Sequence, residues 1–144
     1  VGVQHPRQPD YIGFVASSGG SISTSGDYEH FFIDPAGRRW HHIIDLATGR
    51  PATASVQVTV VAERGVYADA LSTACFIRGA ERCFEMLADV PGGAEAVVID
   101  SELRVHLSPG LRDRFVMRVE LDAQGRIPME ARDARPGDVE DDTP

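Results

Sequence analysis

The feature that most constrains the fold is a change of hydrophobic period just after residue 62. Residues 55–62, SVQVTVVA, alternate, and Val56, Val58 and Val60 share one face, as on a β-strand with a face turned to a core. A few residues later the period lengthens. Val66, Ala70, Thr73 and Ile77, with Tyr67, Leu71 and Ala74, make a broad apolar face at helical spacing over 66–78. Gly79 suits a helix stop. AERCFEMLADV then predicts a second helix over 80–90, closed by Pro91-Gly92-Gly93. Two consecutive helices bracketed by strands restrict the chain to a few architectures.

The remaining segments are strand-like. IGFVASSGGSIST (12–24) reads as one or two short strands around Gly19-Gly20. HFFID (30–34) and RRWHHIID (38–45) flank Pro-Ala-Gly and predict a hairpin. AEAVVID (94–100) and LRVHLS (103–108) predict another around Asp100-Ser101-Glu102, and DRFVMRVEL (113–121) a further strand. The expected class is α+β, a mixed or antiparallel sheet with a pair of consecutive helices. With 144 residues the chain suffices for one domain, placed at 1–121. From Asp122 it turns polar and Pro/Gly-rich and ends VEDDTP, so 122–144 is expected to be an acidic, disordered tail. It opens VGVQHPRQPD, without Met, as expected of a processed product or a fragment.

Composition excludes some partners. Net charge is −8 and all 14 positive charges are arginine, which argues against nucleic acid or an anionic membrane. No apolar run approaches the roughly 20 residues of a membrane span. Cys75 and Cys83 lie eight residues apart, about 12 Å along a straight helix, whereas a disulfide needs Cα atoms within about 7 Å. Pairing requires a break, which Gly79 permits; the expectation is free, buried thiols.

Three places offer chemistry. Asp69 and Thr73 stand i and i+4 on the predicted helix, so their oxygens share a face. Such a pair can hold a hard cation. It can equally be a first-turn carboxylate on the helix dipole and a threonine bonding its own backbone. His41 and His42 on a strand point to opposite faces, one inward and one to solvent. The inward one is a base, a flavin or phosphate contact, or a satisfied core residue. Ser25-Gly26-Asp27-Tyr28 and Thr48-Gly49 are turns with exposed backbone N–H groups.

TSGDYEHFF, HHIIDLATGRPA, VTVVA and ADALSTACFIRG, in this order and spacing, resemble the FAD:protein FMN transferase (ApbE) family over about residues 1–110. The resemblance implies half of a T-fold-like flavin transferase domain. The implied reaction is Mg²⁺-dependent transfer of FMN from FAD to a Ser or Thr of an acceptor protein, with release of AMP. Residue by residue, Asp69 and Thr73 match the metal ligands, with Ser72 between them. His42 matches the motif histidine and becomes the candidate base, facing the cleft with His41 turned away. Ser25, Gly26, Asp27, Ile44 and Thr48 match flavin-facing positions.

Leu46 replaces the family's usual proline, which loosens the turn after Asp45. The family's proteins are about twice as long, and their N-terminal half adds adenine and ribose contacts and a carbonyl metal ligand. The chain therefore reads as a C-terminal half that needs an N-terminal half or partner chain. The implied partners are FAD and an acceptor flavoprotein, and the implied location is periplasmic or membrane-anchored. The alternative is a non-catalytic flavin-binding or interaction module.

Overall fold

The structure, a computed structural model, describes residues 1–129. In chain order the strands are β1 (Gly2–Gln4), β2 (Tyr11–Val15), β3 (Ser21–Gly26), β4 (Phe31–Ile33), β5 (Arg39–His41), β6 (Ile44–Asp45), β7 (Arg50–Pro51) and β8 (Ser55–Ala62). The helical element α1 (Gly65–Ala88) follows, then β9 (Ala94–Asp100), β10 (Val105–Leu107) and, after a short 3₁₀ turn at Pro109–Leu111, β11 (Phe115–Met117). The main sheet is antiparallel with strand order β10-β9-β8-β3. The class is α+β, as the periodicities imply.

The molecule has three layers. α1 covers one face of the main sheet, and Ala68, Phe76, Cys83 and Leu87 pack there on Val58, Val60, Ala96 and Val98. The other face meets a small sheet, β1-β2-β11, where Val61, Val97 and Ile99 pack on Val3, Ile12, Val15 and Phe115. Strand β8 is therefore buried along its whole length. Val56 does not join Val58 and Val60. The register slips between Ser55 and Gln57, a β-bulge, and Val56 packs with Val61 in the second core.

The helix keeps only part of its expected face: Tyr67, Leu71 and Ile77 pack on the core. Val66 is 60 % exposed, and Ala70 and Thr73 face outward. The buried stripe is Ala68, Ser72, Cys75 and Phe76. Both stripes have helical spacing. The small side chains at 68 and 72 form the one that lies against the sheet.

At Gly79 the backbone takes φ 75°, ψ 175°, a region essentially restricted to glycine. This kink divides α1 where the sequence places a helix stop. It also corrects the thiol expectation. The chain turns back on itself, the Cα atoms of Cys75 and Cys83 stand 4.5 Å apart, and the two form a disulfide. The estimate of about 12 Å holds only for a straight helix. A Cys75→Ala/Cys83→Ala variant is expected to lose roughly 2–3 kcal/mol, from the loop-entropy relation for so short a loop. The urea midpoint of unfolding measures it, and an unchanged midpoint would mean that packing alone holds the kink.

Within the segment expected to be a disordered tail, residues 122–129 are placed. Asp122 closes a turn by accepting from the backbone of Gln124 and Arg126. Ile127 is 3 % exposed in the second core and its N–H donates to the Leu103 carbonyl. The rest of that expectation, over 130–144, lies outside the described residues.

Candidate functional site

Strand β3 is an edge of the main sheet. Its Ser23 and Ser25 pair with Val60 and Val58, whose side chains lie under α1. Directly opposed residues share a face, so the pleat aims both serine hydroxyls at the helix. They meet the polar side of its first turns. Ser23 Oγ donates to Asp69 Oδ1 at 3.3 Å, and Ser25 Oγ lies 2.9 Å from Ser72 Oγ and 3.0 Å from Thr73 Oγ1. Ser72 in turn donates to the Asp69 carbonyl at 2.8 Å. Asp69, Thr73 and Ser25 thus belong to one cluster of a carboxylate and four hydroxyls.

Every donor in that cluster is a hard oxygen, the chemistry that Mg²⁺ selects. Among the described residues no three His, Cys, Asp or Glu side chains converge. One carboxylate with a hydroxyl suffices when phosphate oxygens and water complete the octahedron, the usual Mg²⁺ arrangement at nucleotide sites. The residues present therefore fit such an ion.

The two histidines of β5 and the residue after it are opposite in kind. His41 is 9 % exposed, and its ring meets Phe76 edge-on with centroids 5.6 Å apart. Nε2 lies 3.1 Å from the Ala52 carbonyl, and Nδ1 accepts from the Ile43 N–H at 3.3 Å. A carbonyl only accepts, so Nε2 carries the hydrogen and both ring nitrogens are committed. Burial holds the His41 pKa below its ordinary value of 6.5. The folded state then binds fewer protons than the unfolded one. Its contribution to stability is present above pH 6.5 and is lost as pH falls toward the depressed folded value. A His41→Gln variant should show a flatter fall of Tm between pH 7 and pH 5 than the unmodified protein. Parallel curves would place the acid sensitivity elsewhere.

His42 is exposed. Its Nδ1 lies 3.4 Å from the His30 carbonyl, and the His30 ring packs edge-on against it at 5.4 Å. By the same rule Nδ1 donates, which leaves the Nε2 lone pair open to solvent. His42 and Ile44, itself 37 % exposed, border a groove with Phe31, Phe32 and Trp40, and the buried His41, expected to turn away from the cleft, also reaches its lining. Phe32 stacks on Trp40, and Arg39 lies 3.7 Å over the Phe31 ring.

Two of the expected flavin-facing residues, Gly26 and Asp27, are engaged by other parts of the domain. The Asp27 side chain is 8 % exposed, and Arg7 grips it through two hydrogen bonds of 2.5 and 2.7 Å. Gly26 lies beneath the Tyr28 ring, 2.5 Å from where a Cβ would stand. The Tyr28 hydroxyl donates to Gln57 Oε1, and burial first, then Glu29 and Asp27, pushes its pKa up to about 12. Ser25 and Gly26, expected in a turn with exposed N–H groups, instead end β3 opposite Val58 and Gln57, and the Asp27 N–H donates to the Val56 carbonyl at 3.1 Å. Thr48 stands in the 45–49 turn and donates to the Asp45 carbonyl at 3.3 Å. That turn holds without the proline. Asp45 accepts from the backbone of Ala47, Thr48 and Gly49, and Leu46 is 92 % exposed.

Sequence reasoning missed Ser23 and the His30 carbonyl. The signal for Ser23 is present, as polar period-two residues at 23 and 25 against polar residues at 69, 72 and 73. The His30 carbonyl has none, because any residue supplies one.

The sequence profile described as the ApbE family matches residues 1–98. An FAD:protein FMN transferase of Treponema pallidum is 46 % identical over 95 residues, which is 65 % of this chain and 26 % of that protein. One of Rhodobacter capsulatus is 34 % identical over 117 residues, 80 % of this chain and 22 % of that protein. The crystal structure of the ApbE protein from Thermotoga maritima superposes with a TM-score of 0.70 at 36 % identity, over 79 % of this chain and 37 % of that one. The chain spans about a quarter of the length of these two curated relatives, not the half expected from the sequence.

Proposed function

Because the chain belongs to the ApbE family, we propose that it supplies the metal-holding and base-bearing part of an FAD:protein FMN transferase. The relatives' shared name supports flavin transfer in general. The finer reading is transfer of FMN from FAD to a Ser or Thr of an acceptor protein, with AMP released. Its main support is the contrast between the two histidines. His41 has both nitrogens committed, while His42 presents an oriented, unoccupied Nε2.

In this reading the acceptor hydroxyl approaches the groove and gives its proton to His42 Nε2. Its oxygen bonds to the FMN phosphorus of FAD as the pyrophosphate P–O bond breaks, and AMP leaves with that electron pair. The His30 carbonyl keeps Nδ1–H in place, so the imidazole is already in the tautomer that a base requires. Asp69 and Thr73 would hold Mg²⁺, which neutralises charge on the pyrophosphate and on the leaving phosphate. Ile44 and the aromatic rings at 31, 32 and 40 offer a flat apolar wall for an isoalloxazine. Thr48 stands in the turn that follows.

Phe31, Phe32 and Ile33 are 44, 62 and 51 % exposed, a patch suited to further polypeptide, either the remaining part of the enzyme or the acceptor. A buried disulfide supports an oxidising compartment such as the periplasm, with or without a membrane anchor.

Native mass spectrometry with FAD and Mg²⁺, followed by an AMP assay with acceptor present, tests this. A second polypeptide, bound flavin and AMP formed one-to-one with flavinylated acceptor is the expected result. Bound flavin with no AMP would instead establish the non-catalytic flavin-binding module.

A further inference from the structure

We propose that Ser25 is a positioning residue that turns the Thr73 hydroxyl toward a divalent cation. It does so through a one-way relay of hydroxyl hydrogens running from Thr73 to Ser25 to Ser72 to the Asp69 carbonyl. The proposal rests on the reading of Asp69 and Thr73 as the cation's holders.

The direction follows from counting hydrogens. Each hydroxyl has one to donate. Ser72 Oγ stands 2.8 Å from the Asp69 carbonyl oxygen, which only accepts, so the Ser72 hydrogen is committed there. The 2.9 Å contact between Ser25 and Ser72 then needs the hydrogen of Ser25. That leaves Ser25 none for its 3.0 Å contact with Thr73, so Thr73 is the donor. Ser72 is 1 % exposed, and its contacts to Ser25 and Asp69 satisfy it without water.

The consequence concerns the lone pairs of Thr73. A neutral hydroxyl that ligates a cation offers a lone pair and must direct its hydrogen elsewhere. Ser25 takes that hydrogen on the sheet side, and Thr73, being exposed, offers its remaining lone pairs outward. Donating its hydrogen to Ser25 also leaves the Thr73 oxygen more electron-rich and a better ligand to metal. Without Ser25, Thr73 is free to bond the carbonyl of Asp69 four residues back, the usual habit of a helical threonine. Ser23 performs a parallel service for the carboxylate, occupying Asp69 Oδ1 and leaving the other oxygen open.

The test compares Ser25→Ala, Ser25→Thr and Asp69→Ala. It uses two readouts: Mg²⁺ affinity by calorimetry with FAD present, and the Thr73 χ1 distribution from three-bond NMR couplings in metal-free protein. Ser25→Ala should bind Mg²⁺ roughly 10–100-fold more weakly, the usual cost of losing an outer-shell partner, with Thr73 averaging between rotamers. Ser25→Thr, which keeps the acceptor, should restore both. Unchanged affinity in Ser25→Ala overturns the proposal. So does weakened affinity with Thr73 still in one rotamer, because Ser25 would then act by another route. Asp69→Ala separates the two levels. If it binds Mg²⁺ normally, the metal reading falls and the proposal with it. If it loses Mg²⁺ while Ser25→Ala does not, only the role of Ser25 is wrong.

Discussion

Replacing His42 with alanine is expected to slow FMN transfer by roughly 10²–10⁴-fold, the usual contribution of a positioned general base. The mechanism predicts where the loss falls. His42 is exposed, and its one hydrogen bond, at 3.4 Å, goes to a backbone carbonyl, so the fold should keep its Tm. FAD and Mg²⁺ binding should persist, since the proposed reading assigns the phosphates and the ion to the α1–β3 cluster. Added imidazole should recover part of the rate by supplying the missing base from solution. The adjacent residue serves as the control. His41→Ala removes two hydrogen bonds and an edge-on contact with Phe76 inside the core, so it should lower Tm first. A His42→Ala protein that transfers FMN within threefold of the unmodified rate would remove the base assignment.

Asp69→Ala should abolish Mg²⁺-dependent transfer, a loss of about 10³-fold or more if the ion contributes several kcal/mol to the transition state. Asp69 is the single carboxylate in a cluster otherwise made of hydroxyls. Neutral oxygens alone hold Mg²⁺ poorly against water. The side chain is exposed and its protein contact is a 3.3 Å bond from Ser23, so the substitution should cost little stability. Raising Mg²⁺ should restore little of the rate. Asp69→Asn, which keeps the shape but not the charge, should resemble Asp69→Ala. Transfer at the normal rate by either variant would exclude Asp69 from the metal site.

Both predictions concern side chains that spacing had already placed and to which only the family resemblance gave a role, and the reason for the placement is local. Asp69 and Thr73 are one helical turn apart, so any helix over that segment puts them together. The hairpin that ends at His41 follows from the strand runs on either side of Pro-Ala-Gly, while Ile44-Asp45, expected in the same strand, pair instead with Arg50-Pro51. The strand at 55–62 and the kink site at Gly79 were legible for the same reason.

What the chain alone determined, then, is whatever depends on spacing within one element: periods, turns, and which residues share a helix face. The tertiary structure decided what depends on two elements meeting. Val56 crosses to the second core because β8 must bulge to keep its register with β9. Cys75 and Cys83 join because the chain turns back at Gly79 instead of running straight. Asp27 is engaged by Arg7, twenty residues earlier. Ser25 reaches Thr73 because β3 lies beside α1 at the sheet edge. No periodicity encodes such contacts, since each partner's own pattern is satisfied whether or not the other arrives. Packing and hydrogen-bond satisfaction across elements select among arrangements that local preference leaves equal.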